Sequence, residues 1–128
     1  MNYLLDTHAF LWWIADHPML SPPARKLIAD TENDIYLSTA SVWEIAIKTR
    51  AGKLEITEDI NIFIADNLQK NSFKILPINL FHSIKISEIP NSHRDPFDQM
   101  LAAQSIVENM PILSRDMKIA ELGAELIW

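Results

Sequence analysis

Asn2-Tyr3-Leu4-Leu5-Asp6 is a short apolar strand that ends in a carboxylate, and a helical segment begins at Thr7 directly after it. The same order recurs later in the chain, where Asp116 closely follows Ile112-Leu113. Short apolar strands separated by helical segments predict a mainly parallel sheet with helices on both faces. In such a sheet the functional crevice lies outside the carboxyl ends of the strands. We therefore expect Asp6 and Asp116 to lie at one edge of the sheet.

The rest of the chain alternates strand and helix in the same way. Further strands are predicted over residues 34–37, 73–76 and 124–127. Helices are predicted over residues 7–15, 22–29, 38–50, 58–70, 79–88 and 95–109, with a short helix after Asp116. Ser21 is the predicted cap of the second helix and Gly52 the stop of the third. The predicted fold class is α/β, with three layers (α/β/α) and a mainly parallel central sheet.

Length and composition exclude several classes of protein. The 128 residues favour a single domain over 1–128, and 48% apolar content is enough to form a core. The absence of cysteine excludes disulfides, thiolate catalysis and Cys-based zinc sites. Two glycines are too few for a phosphate-binding or dinucleotide-binding loop. With neither a signal peptide nor a membrane span in the sequence, we expect a cytoplasmic protein without membrane contact.

The net charge of −6 argues against a protein that coats nucleic acid non-specifically. It does not exclude a nuclease, because a bound metal neutralises the acidic site of such an enzyme. A nuclease also needs a basic rim beside its acidic site. The basic residues near the acidic motifs are Lys48, Arg50, Lys53, Arg94, Arg115 and Lys118. We select Lys48, Arg94 and Arg115 as candidate RNA contacts.

Four acidic residues are the candidate site: Asp6, Glu44, Asp98 and Asp116. Carboxylates repel one another and resist desolvation, so a chain that gathers several usually holds a divalent cation with them. A purely structural role is hardest to assign to Glu44, because this carboxylate lies in the apolar run Val42-Trp43-Glu44-Ile45-Ala46-Ile47. An ion pair with Lys48 one helical turn later is worth only about 0.2–0.5 kcal/mol.

The aspartates also have a purely structural interpretation. Asp6 and Asp116 are each placed to cap the following helix. Asp95 is a suitable cap before Pro96, and Asp98 is placed to reach back to it as a capping box. Capping and metal binding are compatible, since a helix N-terminus favours an ionised carboxylate. The four histidines are scattered, and no pair of them has metal-ligand spacing.

Four blocks of the sequence resemble the PIN-domain ribonucleases, and the VapC-type toxins of toxin–antitoxin pairs in particular. They are Leu4-Leu5-Asp6-Thr7-His8, Ser38-Thr39-Ala40-Ser41-Val42-Trp43-Glu44-Ile45, the run from His93-Arg94-Asp95-Pro96-Phe97-Asp98 to Gln104, and Leu113-Ser114-Arg115-Asp116. The blocks follow the family order and span essentially the whole chain. The His93–Asp98 block is the most specific of them.

This resemblance implies an Mg²⁺- or Mn²⁺-dependent endoribonuclease with a PIN-like fold. Asp6, Glu44, Asp98 and Asp116 match the acidic quartet of the family, and Thr7 and Ser114 match supporting hydroxyl positions. The resemblance also implies an RNA substrate, a cognate antitoxin and a homodimer. The mechanism we expect has Asp6 and Asp116 holding the ion, with Asp98 and Glu44 acting directly or through water.

Three other functions are compatible with parts of the pattern. One is a PIN-fold nuclease of RNA processing, or one acting on DNA, outside any toxin system. Another is a non-catalytic binding module, which loss of a quartet residue would favour. A third is a phosphorylation-switch receiver domain, but Asp6 is followed by Thr7 rather than by an acidic residue, and Phe73–Pro77 has no aspartate to accept a phosphate.

Overall fold

The central layer of the protein is a five-stranded sheet with the order β3-β2-β1-β4-β5, and all four strand pairings are parallel. The structure is a computed structural model that describes residues 1–128. The strands are β1 (Asn2–Leu5), β2 (Asp34–Ser38), β3 (Lys74–Leu76), β4 (Ile112–Leu113) and β5 (Leu126–Ile127). The predicted α/β fold with a parallel sheet is confirmed.

Helices connect the strands and cover the sheet. They are α1 (Thr7–Ile14), α2 (Pro22–Ala29), α3 (Thr39–Arg50), α4 (Ile60–Asn71), α5 (Leu80–Lys85), α6 (Pro96–Glu108) and α7 (Met117–Ala120). The single helix predicted over 79–88 is instead α5 followed by a 3₁₀ turn, Ile86–Glu88. The turn precedes Pro90, and the residue before a proline disfavours α-helical geometry. None of the helices is long and apolar enough to span a lipid bilayer.

Successive residues of β1 supply the two cores of the protein. Tyr3 and Leu5 pack into one core with residues of α1, α2 and α4. Leu4 points to the other face and packs with residues of α6 and α7. This alternation follows from the two-residue repeat of a strand, and it explains why β1 is apolar at every position after Asn2.

Local sequence signals set the helix ends as predicted. The Ser21 hydroxyl accepts from the backbone N–H of Ala24, and Pro22 begins α2. Gly52, with φ of +74°, follows the C-cap residue Ala51 of α3 in a left-handed conformation that glycine adopts without a Cβ clash.

The strand order reverses at β1, which lies between β2 and β4. The chain fills one side of the sheet through β2 and β3, and then crosses to β4 and β5 on the other side. A crevice forms outside the carboxyl ends of the strands at such a reversal, because the connections leave in opposite directions. Asp6 follows β1, and its backbone N–H donates to the Leu113 carbonyl of β4 at 3.2 Å.

Candidate active site

The crevice at the β1–β4 reversal contains a polar cleft of about 240 Å³. Ten residues line this acidic cleft, and none of them is apolar: Asp6, Thr7, His8, Glu44, Lys48, His93, Asp95, Asp98, Asp116 and Lys118. All four carboxylates selected from the sequence are among them. Asp95 adds a fifth, against two lysines, so the cleft has a clear excess of negative charge when its acids are ionised.

Asp6 is held by two hydrogen bonds at the end of β1. One carboxylate oxygen accepts from the backbone N–H of Ala9 at 2.7 Å and so caps α1. The other oxygen accepts from the Ser114 hydroxyl. Burial raises the pKa of Asp6 above its ordinary value, although these two hydrogen bonds act in the opposite direction.

Ser114 joins the ends of β1 and β4. Its hydroxyl donates to Asp6 and accepts from the backbone N–H of Asp116 at 3.0 Å. Asp116 Oδ1 in turn accepts from the backbone N–H of Lys118 at 3.0 Å, which caps α7. The predicted capping roles of Asp6 and Asp116 are both present, and both side chains still face the acidic cleft.

Glu44 reaches the cleft from α3 with both carboxylate oxygens paired. Thr7 Oγ1 donates to Glu44 Oε1 at 2.7 Å, and Lys48 Nζ lies 2.7 Å from Oε2. Ser41 Oγ lies 2.9 Å from Thr7 Oγ1 and helps to orient it. Glu44 is 6% exposed, so these partners replace the water that a buried carboxylate loses. The Lys48 ion pair expected from the sequence is present, in a cleft rather than on an open helix surface.

Asp98 lies in the first turn of α6 and lines the cleft, but the capping box predicted for its side chain is absent. Asp95 does cap the helix, since its Oδ1 accepts from the backbone N–H groups of Phe97 and Asp98 at 2.9 and 3.2 Å. Asp98 does not reach back to complete a capping box; its Oδ2 lies 2.7 Å from His93 Nε2. For the Asp98 carboxylate, an imidazole is a stronger hydrogen-bond partner than a backbone N–H that water can also reach.

The surroundings of Asp98 raise its pKa to about 6, chiefly through burial. The His93 hydrogen bond opposes this rise, while the charges of Asp95 and Asp116 add to it. Like charges and lost solvation both disfavour an ionised carboxylate. Without a cation, Asp98 therefore stays protonated up to a higher pH than an exposed aspartate does.

His93 is the site residue that sequence reasoning missed. It lies in the loop before α6, so no helical or strand periodicity predicts where its side chain points. Its proximity to Asp95 and Asp98 in sequence was the available signal. His8 also lines the cleft, but its ring packs against Trp12 with 5.6 Å between centroids.

The three candidate RNA contacts are placed differently around the cleft. Lys48 lines the cleft itself. Arg115 lines a neighbouring pocket of about 410 Å³ together with Asp6, His8, Trp12, Asp116 and Met117, which we call the tryptophan pocket. Its guanidinium lies 5.7 Å from the centroid of the Trp12 ring. Arg94 is exposed on the loop before α6 and does not line the cleft.

The donor atoms of the cleft suit a divalent cation. His93, Asp98 and Asp116 each offer one ligand atom, and these three atoms lie within 4.8 Å of one another. Asp6 lines the same cleft beside Asp116. Hard cations prefer carboxylate oxygens, and their charge offsets the repulsion that raises the pKa of Asp98. The residues present therefore fit such an ion.

Comparison with known proteins places the chain in a family. A protein-family model described as PIN domain matches residues 3–125. Ribonuclease VapC16 of Mycobacterium tuberculosis (strain ATCC 25618 / H37Rv) is 35% identical over 71 residues, which are 52% of this chain and 50% of that protein. This match spans about half the length of the curated relative.

Two solved structures share the fold at lower sequence identity. VapBC2 from Rickettsia felis, bound to a DNA fragment from its promoter, superposes with a TM-score of 0.73 at 19% identity, covering 99% of this chain and 98% of that one. FitAcB from Neisseria gonorrhoeae gives a TM-score of 0.65 at 18% identity, covering 100% and 97%. These structures show the shared fold, and the family model, which extends over nearly the whole chain, establishes that the protein belongs to the PIN domain family.

Proposed function

We propose that the protein is a divalent-metal-dependent endoribonuclease and the toxin of a type II toxin–antitoxin pair. The observation that carries this proposal is the acidic cleft, where five carboxylates and two lysines surround a small polar space at the strand reversal. A crowded set of carboxylates is costly unless a cation neutralises it. The ribonuclease name of the 35% identical relative supports RNA as the substrate class.

We assign the ion as Mg²⁺ or Mn²⁺, held by Asp6 and Asp116, with Asp98 and Glu44 completing its surroundings directly or through water. When bound, such an ion supplies a Lewis acid that polarises the scissile phosphate and lowers the pKa of a coordinated water. The protein side chains orient the reaction. Ser114 orients Asp6 by donating to its Oδ2. Thr7 and Lys48 orient Glu44, each through one of its two oxygens.

Glu44 is the proposed acceptor of the proton that the attacking water releases. Each of its oxygens uses one lone pair for Thr7 or Lys48 and keeps another for such a proton. Lys48 also places a positive charge where the phosphate would lie. Arg115 and Trp12, in the tryptophan pocket, are suited to a neighbouring phosphate and its base, and Arg94 to the backbone further along the RNA.

A cognate antitoxin is the proposed regulator. The solved structures with this fold include VapBC2 and FitAB, both determined with DNA. An apolar pocket of about 440 Å³ lies beside the acidic cleft and shares Thr7, His8 and Lys48 with it. A partner segment seated in this pocket would cover the cleft and block the RNA. Since such a toxin acts on cellular RNA, we also propose a cytoplasmic location.

The proposed homodimer uses the exposed face of α5. Leu80, Phe81 and Ile84 are 68%, 68% and 54% exposed, and they lie together on this short helix. Adjacent exposed apolar side chains of this size usually mark an interaction surface. Phe81→Asp should convert a dimer to a monomer in analytical ultracentrifugation. Ile62→Asp on α4, at a position with 51% exposure, is the matched control.

The decisive experiment is cleavage of a mixed RNA pool by purified protein, free of antitoxin, with Mg²⁺, with Mn²⁺ and with EDTA. We expect cutting with either metal and none with EDTA. Asp6→Asn should abolish cutting, and Asp66→Asn, an exposed aspartate on α4, should leave it unchanged. Cutting that survives EDTA and Asp6→Asn would refute the proposal.

A further inference from the structure

We propose that His93 is a nitrogen ligand of the cation in the acidic cleft and that it makes the site select Mn²⁺ over Mg²⁺. The proposal rests on the metal-dependent function above and goes beyond it, because it assigns a ligand outside the four carboxylates. It also predicts which metal the protein prefers.

The first argument is the spacing of donor atoms. His93 Nε2 lies 2.7 Å from Asp98 Oδ2. Ligands that lie about 2.1 Å from an octahedral ion are roughly 3.0 Å apart when adjacent and roughly 4.2 Å apart when opposite. The His93–Asp98 pair is thus close to the spacing of adjacent ligands. Asp116 completes a group whose atoms all lie within 4.8 Å, which needs only a small inward shift to match opposite ligands.

The second argument is the anchoring of the His93 ring. The side chain is only 17% exposed. The Gln99 side-chain amide donates to the His93 carbonyl at 2.6 Å and ties the loop to the first turn of α6. The imidazole is therefore already directed at the cleft. Ligands that are fixed before the ion binds lose little conformational entropy on binding.

The third argument is the chemistry of imidazole. A neutral histidine carries one proton on either ring nitrogen. With the proton on Nδ1, Nε2 presents a lone pair, which a cation would bind in place of the hydrogen bond to Asp98. The exchange adds one positive charge to the cleft, because a divalent ion replaces a proton, and the excess of carboxylates there compensates for that charge.

The preference for Mn²⁺ follows from the nitrogen donor. Mg²⁺ is a hard ion that favours oxygen and keeps several waters, whereas transition metals also accept imidazole well. A site made only of carboxylates and water would gain little discrimination between the two metals. One imidazole in the coordination sphere should shift the selectivity towards Mn²⁺.

The test is electron spin echo spectroscopy of Mn²⁺ bound to the purified full-length protein. A directly bound imidazole produces nitrogen modulations of the manganese signal, and these should change when histidine is labelled with the heavier nitrogen isotope. His93→Gln, which keeps an amide donor for Asp98, should lose the modulations. His8→Gln should keep them, because His8 lines the cleft outside the ligand group.

Affinity provides a second readout that separates a ligand from a positioning residue. Mn²⁺ affinity should fall by at least the roughly 10–100-fold that loss of an outer-shell partner typically costs. Mg²⁺ affinity, measured by competition, should stay nearly unchanged in His93→Gln. A circular dichroism spectrum and a thermal melt verify that the variant is folded.

Three results would overturn the proposal in distinguishable ways. Wild-type protein that binds Mn²⁺ without nitrogen modulations refutes the ligand role and leaves metal-dependent cleavage intact. Equal losses of Mg²⁺ and Mn²⁺ affinity in His93→Gln refute the selectivity and reduce His93 to holding Asp98. Wild-type protein that binds neither metal refutes this inference together with the proposed function.

Discussion

The acidic cleft and a second buried polar region of the protein differ in how their buried polar groups find hydrogen-bond partners. The second region, which we call the histidine–glutamine cluster, consists of Ser38, His82, Gln104 and Glu108. Ser38, His82 and Gln104 are fully buried. Both regions include residues of α6, with Asp98 in its first turn and Gln104 further along. They therefore share a scaffold and differ in their chemistry.

In the histidine–glutamine cluster, donors and acceptors are matched. Gln104 Oε1 accepts from the Ser38 hydroxyl at 2.5 Å, and its amide nitrogen lies 3.4 Å from His82 Nδ1. His82 Nδ1 also accepts from the backbone N–H of Asn79 at 3.1 Å, and Nε2 lies 2.7 Å from a Glu108 oxygen. Such a closed set stabilises the fold because no polar group is left without a partner.

In the acidic cleft, acceptors outnumber donors. Both oxygens of Asp6 and both oxygens of Glu44 have hydrogen-bond partners within the chain. Asp98 and Asp116 each have a partner for one oxygen only. Burial is the chief cause of the raised pKa of Asp98, about 6, and the charges of Asp95 and Asp116 add to it. The comparison shows that burial alone does not mark a functional site. An excess of one kind of polar group does, because something outside the chain must balance it.

Among the substitutions that test this comparison, the one with the largest expected effect lies in the acidic cleft and lowers the rate of RNA cleavage. Asp116→Asn keeps the cap of α7, since an amide oxygen also accepts from the Lys118 N–H, but it removes a negative charge that would bind the proposed ion. We expect a loss of at least about 100-fold in kcat/KM, beyond the range for outer-shell partners. Single-turnover assays on a defined RNA measure it. An unchanged rate would remove Asp116 from the site.

The sequence could predict most of the fold and the meeting of the carboxylates. The order of apolar strands and helical segments is visible in Leu4-Leu5 and Ile112-Leu113, and the rule for parallel sheets then brings Asp6 and Asp116 to one edge. Apart from α5, which ends three residues earlier than predicted, helix ends came within one or two residues because caps such as Ser21 and Gly52 are local signals. The catalytic roles of the quartet stay a prediction.

The misses share a physical cause. His82 and His93 acquire their partners through tertiary packing and loop path, and neither leaves a periodic trace in the sequence. The capping box expected at Asp98 failed for the same reason, because the competing partner His93 comes from an irregular loop. Sequence patterns predict elements and their ends well, and they predict hydrogen bonds between side chains of different elements poorly.

A divalent cation should stabilise the acidic cleft and leave the histidine–glutamine cluster unaffected. A ligand that binds only the folded state at 100 times its Kd adds about 2.7 kcal/mol to the free energy of unfolding. Differential scanning calorimetry with increasing Mn²⁺ should show a rising Tm for the wild type. Asp116→Asn should lose most of this rise, while Gln104→Met should keep it. A Tm that does not respond to metal would argue against a binding site in the cleft.

Disruption of the histidine–glutamine cluster should lower stability without a specific effect on chemistry. Gln104→Met keeps much of the volume but leaves the Ser38 hydroxyl without its acceptor and removes an amide from His82. We expect a loss of about 2 kcal/mol, within the range for unsatisfied buried polar groups. Urea unfolding measures it. If the folded variant also lost its metal-dependent cleavage, the two regions would be coupled through α6 rather than independent.

The smallest effect, and the one that most directly tests the imbalance of the acidic cleft, concerns Asp98 in metal-free protein. Its pKa of about 6 in the folded state lies above the ordinary aspartate value of 3.8, so the folded state binds this proton more tightly than the unfolded state does. The resulting stabilisation is fully present below pH 3.8 and is lost as the pH rises through about 6. Burial raises the pKa of Asp6 as well, which acts in the same direction.

Asp98→Asn removes this pH-dependent loss because an amide does not ionise. Each unit of pKa shift corresponds to about 1.4 kcal/mol, and the weaker bond of the amide to His93 offsets part of the gain. In EDTA we therefore expect the variant to be more stable than the wild type by about 1–2 kcal/mol above pH 6, with the difference vanishing towards pH 4.

With Mn²⁺ present the order of stability should reverse, because only the wild-type carboxylate gains from the ion. Urea unfolding across this pH range, with and without metal, measures both. A variant less stable than the wild type in EDTA at neutral pH would mean that the His93–Asp98 bond outweighs the repulsion, and that the cleft is balanced without a cation.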